Sequence, residues 1–189
     1  MKLGLFPLPL FLLPGGITRI RVFEPRYVRL VQESAGNEGF VIASAFMSFE
    51  PADEQANWGS WVKIIDFSMG DDGLLLIDVQ CGSLVTISSF DIEDDGLKRG
   101  DVIPFSHWIE PGKQFDTPQS QAMCDALKQV FEQQEQLQSL YAETHFDSLL
   151  WTSQRWAELL PLKPAEQNSF VKPDSFPAFY EFAKNIILE

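Results

Sequence analysis

At 189 residues and 21.4 kDa the chain can form one large domain or two small ones, and 45% apolar with 22% charged residues is a globular composition that excludes disorder for most of it. Fourteen Lys and Arg against 27 Asp and Glu give a net charge of −13, which argues against nucleic acid and anionic membrane as partners. The imbalance is uneven: residues 1–35 carry five basic and two acidic side chains and residues 36–189 nine and 25, so any anion site is expected near the N-terminus.

Met1-Lys2 and the apolar run Leu3–Leu13 open like a secretory signal, but Pro7, Pro9 and Pro14 break a helix there and Arg19, Arg21, Arg26 and Arg29 follow. No run of about 18 apolar residues occurs elsewhere, so a soluble cytoplasmic protein is expected. The Pro-rich opening suits short edge strands, and Leu13-Pro14-Gly15-Gly16 has the composition of a type II turn. Ile17–Phe23 reads as a strand. Pro25 then opens a helix to about Gln32 with Tyr27, Leu30 and Val31 facing inward.

From Gly39 to Trp108 the signals are strand: Phe40–Phe46, Trp61–Phe67, Leu74–Cys81, Leu84–Phe90 and Val102–Trp108, separated by Gly70-Asp71-Asp72-Gly73, Gly82-Ser83 and Glu93-Asp94-Asp95-Gly96. The series predicts a closed or half-closed antiparallel β-barrel. Met47–Ser60 reads as a long aperiodic loop, a length associated with function. After Glu110-Pro111-Gly112 the pattern turns helical. Met123, Leu127, Val130, Leu137 and Tyr141 form one stripe, interrupted by Gln134, and Phe146, Leu149, Leu150, Trp156 and Leu160 a second. A short helix is expected between Pro164 and Phe170, and a last one, capped by Asp174, carries Phe176, Phe179, Tyr180, Ile186 and Ile187.

Motifs that carry chemistry are few. G-x-x-x-x-G-K-[ST], G-x-S-x-G and H-E-x-x-H are missing, and His107 and His145 have no local partners. Cys81 and Cys124 read as small core hydrophobes, with no spacing for a metal, and neither metal nor cofactor is expected. The Asp-Asp-Gly pairs are more simply solvated turns than ligands. Phe49 and Trp58, on the long loop, are the aromatics that a core role explains least. With Met47 they make the candidate peptide groove, the competing reading being a lid folded on the core.

Leu5-Phe6-Pro7-Leu8, Phe11-Leu12-Leu13-Pro14-Gly15-Gly16 and Arg21-Val22-Phe23-Glu24-Pro25-Arg26-Tyr27 closely resemble the opening signature of the N-terminal, substrate-binding domain of Lon proteases, a domain that also occurs in stand-alone bacterial proteins. Gly59–Ile64, Asp72–Ile77, Trp151, Arg155, Glu158-Leu159-Leu160-Pro161-Leu162 and Gln167 extend the resemblance over nearly the whole chain. It implies an α+β fold, a PUA-like antiparallel β-barrel with one helix at residues 1–112 followed by a helical subdomain at 113–189, together one Lon N-terminal-like domain. It also implies polypeptide recognition without the ATPase and Ser/Lys peptidase modules, hence a non-enzymatic adaptor or regulator in protein quality control. Its expected partners are unfolded or partly folded polypeptides and a protease. Arg21, Glu24, Pro25, Arg26 and Tyr27 are expected to hold the fold, the charged three as an ion-paired network. Two other readings compete: a PUA-like nucleic-acid binder, which the charge opposes, and a hydrolase, which would bring His107 or His145 against a nucleophile.

Overall fold

The computed structural model describes residues 1–36, 38–44 and 57–189. They separate into two compact units, Met1–Phe105 and Ser106–Glu189.

The first unit holds β1 (Lys2–Leu8), β2 (Ile17–Val22), α1 (Pro25–Ser34), β3 (Phe40–Ser44), β4 (Trp58–Met69), β5 (Leu75–Ile92) and β6 (Lys98–Phe105). Strand pairing runs from β5 through β4, β3, β1 and β6 and returns to β5, a barrel-like ring on which β2 is added at the outer side of β5. The sheet is mixed and not antiparallel throughout, because β1 and β3 run parallel, with Leu5 opposite Val41.

β1 is not an edge strand despite Pro7. Met1 exchanges hydrogen bonds with Val102, so the odd-numbered residues of β1 turn their backbone toward β6. That pairing ends at Leu5, and Pro7, with no N–H to give, falls on the side where none is needed. Both faces of β1 and β3 are covered. Phe6, Phe40 and Ile42 join α1's Tyr27, Leu30 and Val31 in one cluster, and Leu5, Val41 and Ala43 join Val85, Ile87 and Val102 in another. Double-sided burial is why Leu3–Phe6 and Phe40–Ala43 read as unbroken apolar runs. Gly4 lets the helix approach, since a Cβ there would lie 2.2 Å from Leu30 Cδ1.

β5 is a single strand of 18 residues where two were expected. Gly82 does not turn the chain; Val62 pairs with Cys81 and Trp61 with Ser83, so Gly82 is the extra residue of a bulge. The turns at 70–74 and 93–97, both Asp-Asp-Gly-Leu, do reverse the chain and share one scheme. Gly70 N–H donates to Leu74 O and Glu93 N–H to Leu97 O, both at 2.8 Å, and the second aspartate of each pair accepts from the leucine amide, at 3.1 Å for Asp72 and 3.0 Å for Asp95.

The second unit begins with a 3-10 turn at Lys113–Phe115, followed by α2 (Pro118–Gln133), α3 (Glu135–Leu140), α4 (Leu149–Leu159), α5 (Pro164–Phe170) and α6 (Phe176–Ile187). Thr117 and Ser148 cap α2 and α4 through their hydroxyls. Gln134 does more than interrupt a stripe: at φ −118°, ψ 99° it separates α2 from α3. The capping position of α6 belongs to Ser175 and not to Asp174, its hydroxyl donating to Phe170 O and accepting from Trp108 Nε1 at 2.8 Å.

α4 packs on α2 and α6 and is buried along Trp151–Ala157. The polar residues of the helical signature are part of that core: Arg155, 1% exposed, makes a two-pronged pair with Glu158 at 2.7 and 2.9 Å. Pro161 follows the helix end, and Gln167 reaches back to Leu162 O. These motif residues build the unit.

Candidate functional site

Among the described residues neither histidine is hydrogen-bonded to a nucleophile. His107 is 5% exposed, with Nε2 2.9 Å from Phe170 O and Nδ1 3.3 Å from the Gln154 amide. Burial pushes its pKa down to about 4, so the ring is neutral, donating to the carbonyl and accepting from the amide. His145 packs edge-on against Trp151. Cys81 and Cys124 are free and buried, and burial raises the Cys124 thiol, which leaves it unreactive. Among the described residues no cluster of His, Cys, Asp and Glu could hold a metal.

The opening signature instead surrounds a cleft of about 400 Å³ in the β unit. β1 supplies Phe6, Pro7 and Leu8, the end of β2 supplies Arg21 and Phe23, the start of α1 supplies Glu24, Arg26 and Tyr27, and the β5–β6 turn supplies Gly96 and Lys98. Phe6 and Tyr27 stack at 4.1 Å, the Arg26 guanidinium lies 4.9 Å from the Tyr27 ring centre, and Phe23 projects at the lip, 65% exposed. Pro25 is at the first helical turn as expected. Arg26 pairs with Glu24 at 2.7 Å and reaches Gly96 O. Arg21, however, joins Asp72 of the β4–β5 turn and not that pair. The three charged signature residues thus line one cleft without forming one network.

Through Arg21 and Asp72 the cleft adjoins the β4–β5 hairpin, where Val22, Leu75 and Met69 lie in one cross-strand row. This end of the sheet carries Ile65, Phe67 and Met69, exposed at 49%, 74% and 68%. Apolar side chains exposed together are a property of interaction surfaces.

The groove expected from the long loop has a different standing. Met47 and Phe49 lie outside the described residues. Trp58 to Ser60 belong to β4 and not to a loop, and Trp58 is 4% exposed with its ring edge-on to Phe11 at 5.6 Å. Sequence reasoning passed over Phe23, Ile65, Phe67 and Met69. The available signal was alternation up to a turn, which equally describes a half-buried strand.

The family model for the ATP-dependent protease La (Lon) substrate-binding domain matches residues 2–169. The chain belongs to the Lon substrate-binding domain family. A Lon N-terminal domain protein from Xanthomonas campestris has a crystal structure similar to this one, with 27% identity over 92% of this chain and 91% of that one and a TM-score of 0.66. The N-terminal domain of the Mycobacterium avium complex Lon protease also has this fold, at 12% identity over 100% and 99% of the two chains and a TM-score of 0.66. No curated protein matches the chain. The expected α+β fold is that of these Lon N-terminal domains, and the part of Lon that the chain matches is the substrate-binding domain, distinct from the ATPase and peptidase modules. Among the described residues no helix is long and apolar enough to cross a membrane.

Proposed function

We propose that this Lon-type domain is a non-enzymatic polypeptide-recognition module of the cytoplasm, which holds unfolded or partly folded segments and acts as an adaptor or regulator beside a protease. The observation that carries this reading is the match of residues 2–169 to a substrate-binding domain. It is supported by the exposed Phe23, Ile65, Phe67 and Met69 at one end of the β unit, because apolar side chains on a surface suit clients that expose their own. It also agrees with a histidine whose two ring nitrogens are occupied by structural hydrogen bonds.

The test is titration of fluorescein-labelled, chemically unfolded casein with the purified chain, followed by anisotropy. Saturable binding is expected, with no ATP hydrolysis and no cleavage of the casein. Turnover that disappears on mutating one residue of this chain would overturn the non-enzymatic part, and indifference to unfolded and folded proteins alike would overturn recognition.

A further inference from the structure

The outer half of β4 differs from the rest of the strand. Gly59–Val62 pair with β3 on one side and β5 on the other, whereas from Lys63 to Met69 the described residues supply a partner on the β5 side alone. Asp66 and Ser68 are exposed together with Ile65, Phe67 and Met69, so among the described residues this stretch is open on both faces as well as along one edge. Gly70 N–H donates to Leu74 O. By strand alternation Ser68 then faces β5, while Phe67 and Met69 turn their backbone groups to the open side. An edge of this kind is a template for another strand. One of its donors is occupied from within: Phe67 N–H donates to Asp66 Oδ1 at 2.8 Å.

We infer that the outer half of β4, from the bulge at Ile65 to Met69, is a strand-addition site, where an extended, apolar and basic polypeptide segment pairs with the β4 backbone and lays alternate side chains against Phe67 and Met69. The inference rests on the polypeptide-recognition reading and gives that reading its place and geometry. Phe67 and Met69 stand two residues apart beyond a bulge that leaves Ile65 without a register partner, a spacing that fits an extended segment, whose residues also repeat every second position. The basic character follows from charge: Asp66 and Asp71 stand exposed beside the edge against one exposed cation of the strand, Lys63, on a chain of net charge −13. Backbone pairing supplies affinity that does not depend on client sequence, and the apolar row supplies preference. Asp66 guards the edge, because an incoming carbonyl has to displace its carboxylate from Phe67 N–H.

The experiment uses the full chain and two fluorescein-labelled peptides of alternating Val and Thr flanked by lysines, one with every second amide N-methylated so that it cannot form a ladder. Amide hydrogen exchange locates the contact. The plain peptide is expected to bind and to slow exchange at Phe67 and Met69, and the N-methylated one to bind about tenfold or more weakly, the cost of one or two lost hydrogen bonds. Met69→Pro, which removes an outward donor, should weaken the plain peptide similarly. Should Met69→Pro fail to fold, the peptide pair still decides. Equal binding of both peptides, or protection elsewhere on the chain, overturns the site while leaving polypeptide recognition in place. Failure of both peptides and of unfolded casein overturns recognition itself. Self-association of the free chain that Met69→Pro abolishes would make a second copy the occupant and overturn the inference.

Discussion

A neutral histidine in a core makes stability depend on pH in a fixed direction. His107 has a folded pKa of about 4 against about 6.5 when unfolded, so between these values the unfolded chain binds more protons. Its contribution is complete above pH 6.5 and is lost as pH falls toward 4, a span worth on the order of 3 kcal/mol. Urea titrations from pH 7 to pH 4 should show a steep decline in the native chain and a shallower one in His107→Gln; equal slopes would mean that the ring ionises in the fold. The Arg155–Glu158 pair lies in the same unit at 1% and 10% side-chain exposure. Arg155→Met strands a carboxylate and should cost about 3–5 kcal/mol, while Arg155→Met with Glu158→Leu should recover most of it. A double variant no better than the single would show that the helix needs the ion pair itself. Trp58→Ser removes a buried ring and should cost about 3–5 kcal/mol by urea denaturation, whereas a ring serving only clients would leave the midpoint unmoved.

At the scale of elements, much was legible because local chemistry and tertiary demand agree. Pro25 starts α1 and Tyr27, Leu30 and Val31 are its buried face; the two Asp-Asp-Gly turns lie where composition puts them. Readings failed where a neighbour decides the outcome. Gly82 is a turn residue by composition and a bulge by pairing, and Pro7 of β1 is tolerated because β6 stops pairing at Leu5. The cleft was not legible: its signature residues were expected to hold the fold, and Arg21, Glu24, Arg26 and Tyr27 are separated from its other wall, Gly96 and Lys98, by some 70 residues. The exposed stretch of β4 was hidden for a related reason: β4 has 12 residues and β3 five, and this mismatch, not the β4 sequence, leaves the outer half paired to β5 alone among the described residues. The twin turns offer a controlled comparison. Gly73 and Gly96 have φ of 79° and 83°, so alanine at either should cost about 1–2 kcal/mol in the left-handed region. At Gly96 the new Cβ would also stand 2.8 Å from an Arg26 guanidinium nitrogen, while at Gly73 it meets open space. Gly96→Ala should therefore lower Tm more than Gly73→Ala and shift Arg26 in the cleft. Equal losses would show that Arg26 has room to move.

For the molecule as a whole, the question is what becomes of the one basic stretch in an acidic chain. Residues 1–35 stand at five basic against two acidic side chains, which taken alone resembles a footprint for a polyanion. In the fold each of the five has a carboxylate partner: Lys2 with Asp91, Arg19 with Asp78 at 2.7 Å, Arg21 with Asp72, Arg26 with Glu24, and Arg29 with Glu33, Glu93 and Asp95. Most of those acids come from beyond residue 36, so the charge asymmetry of the sequence is cancelled by tertiary pairing. Around Arg29 the pairing extends to Arg99, which bonds both Glu33 and Glu93, and hydrogen bonds to the arginines hold both glutamates below the usual carboxylate range. A nucleic acid would have to displace these carboxylates against the field of a net charge of −13, without the counterion release that drives such binding. Electrophoretic mobility of a labelled single-stranded RNA and of a duplex DNA at about 0.15 M salt, a physiological ionic strength, should therefore be unchanged by the protein at concentrations that saturate an unfolded polypeptide. A retarded band whose affinity falls steeply with added salt and disappears in Arg19→Ala with Arg21→Ala would show that the arginines exchange their partners for phosphate, and would move the function from polypeptides to nucleic acid.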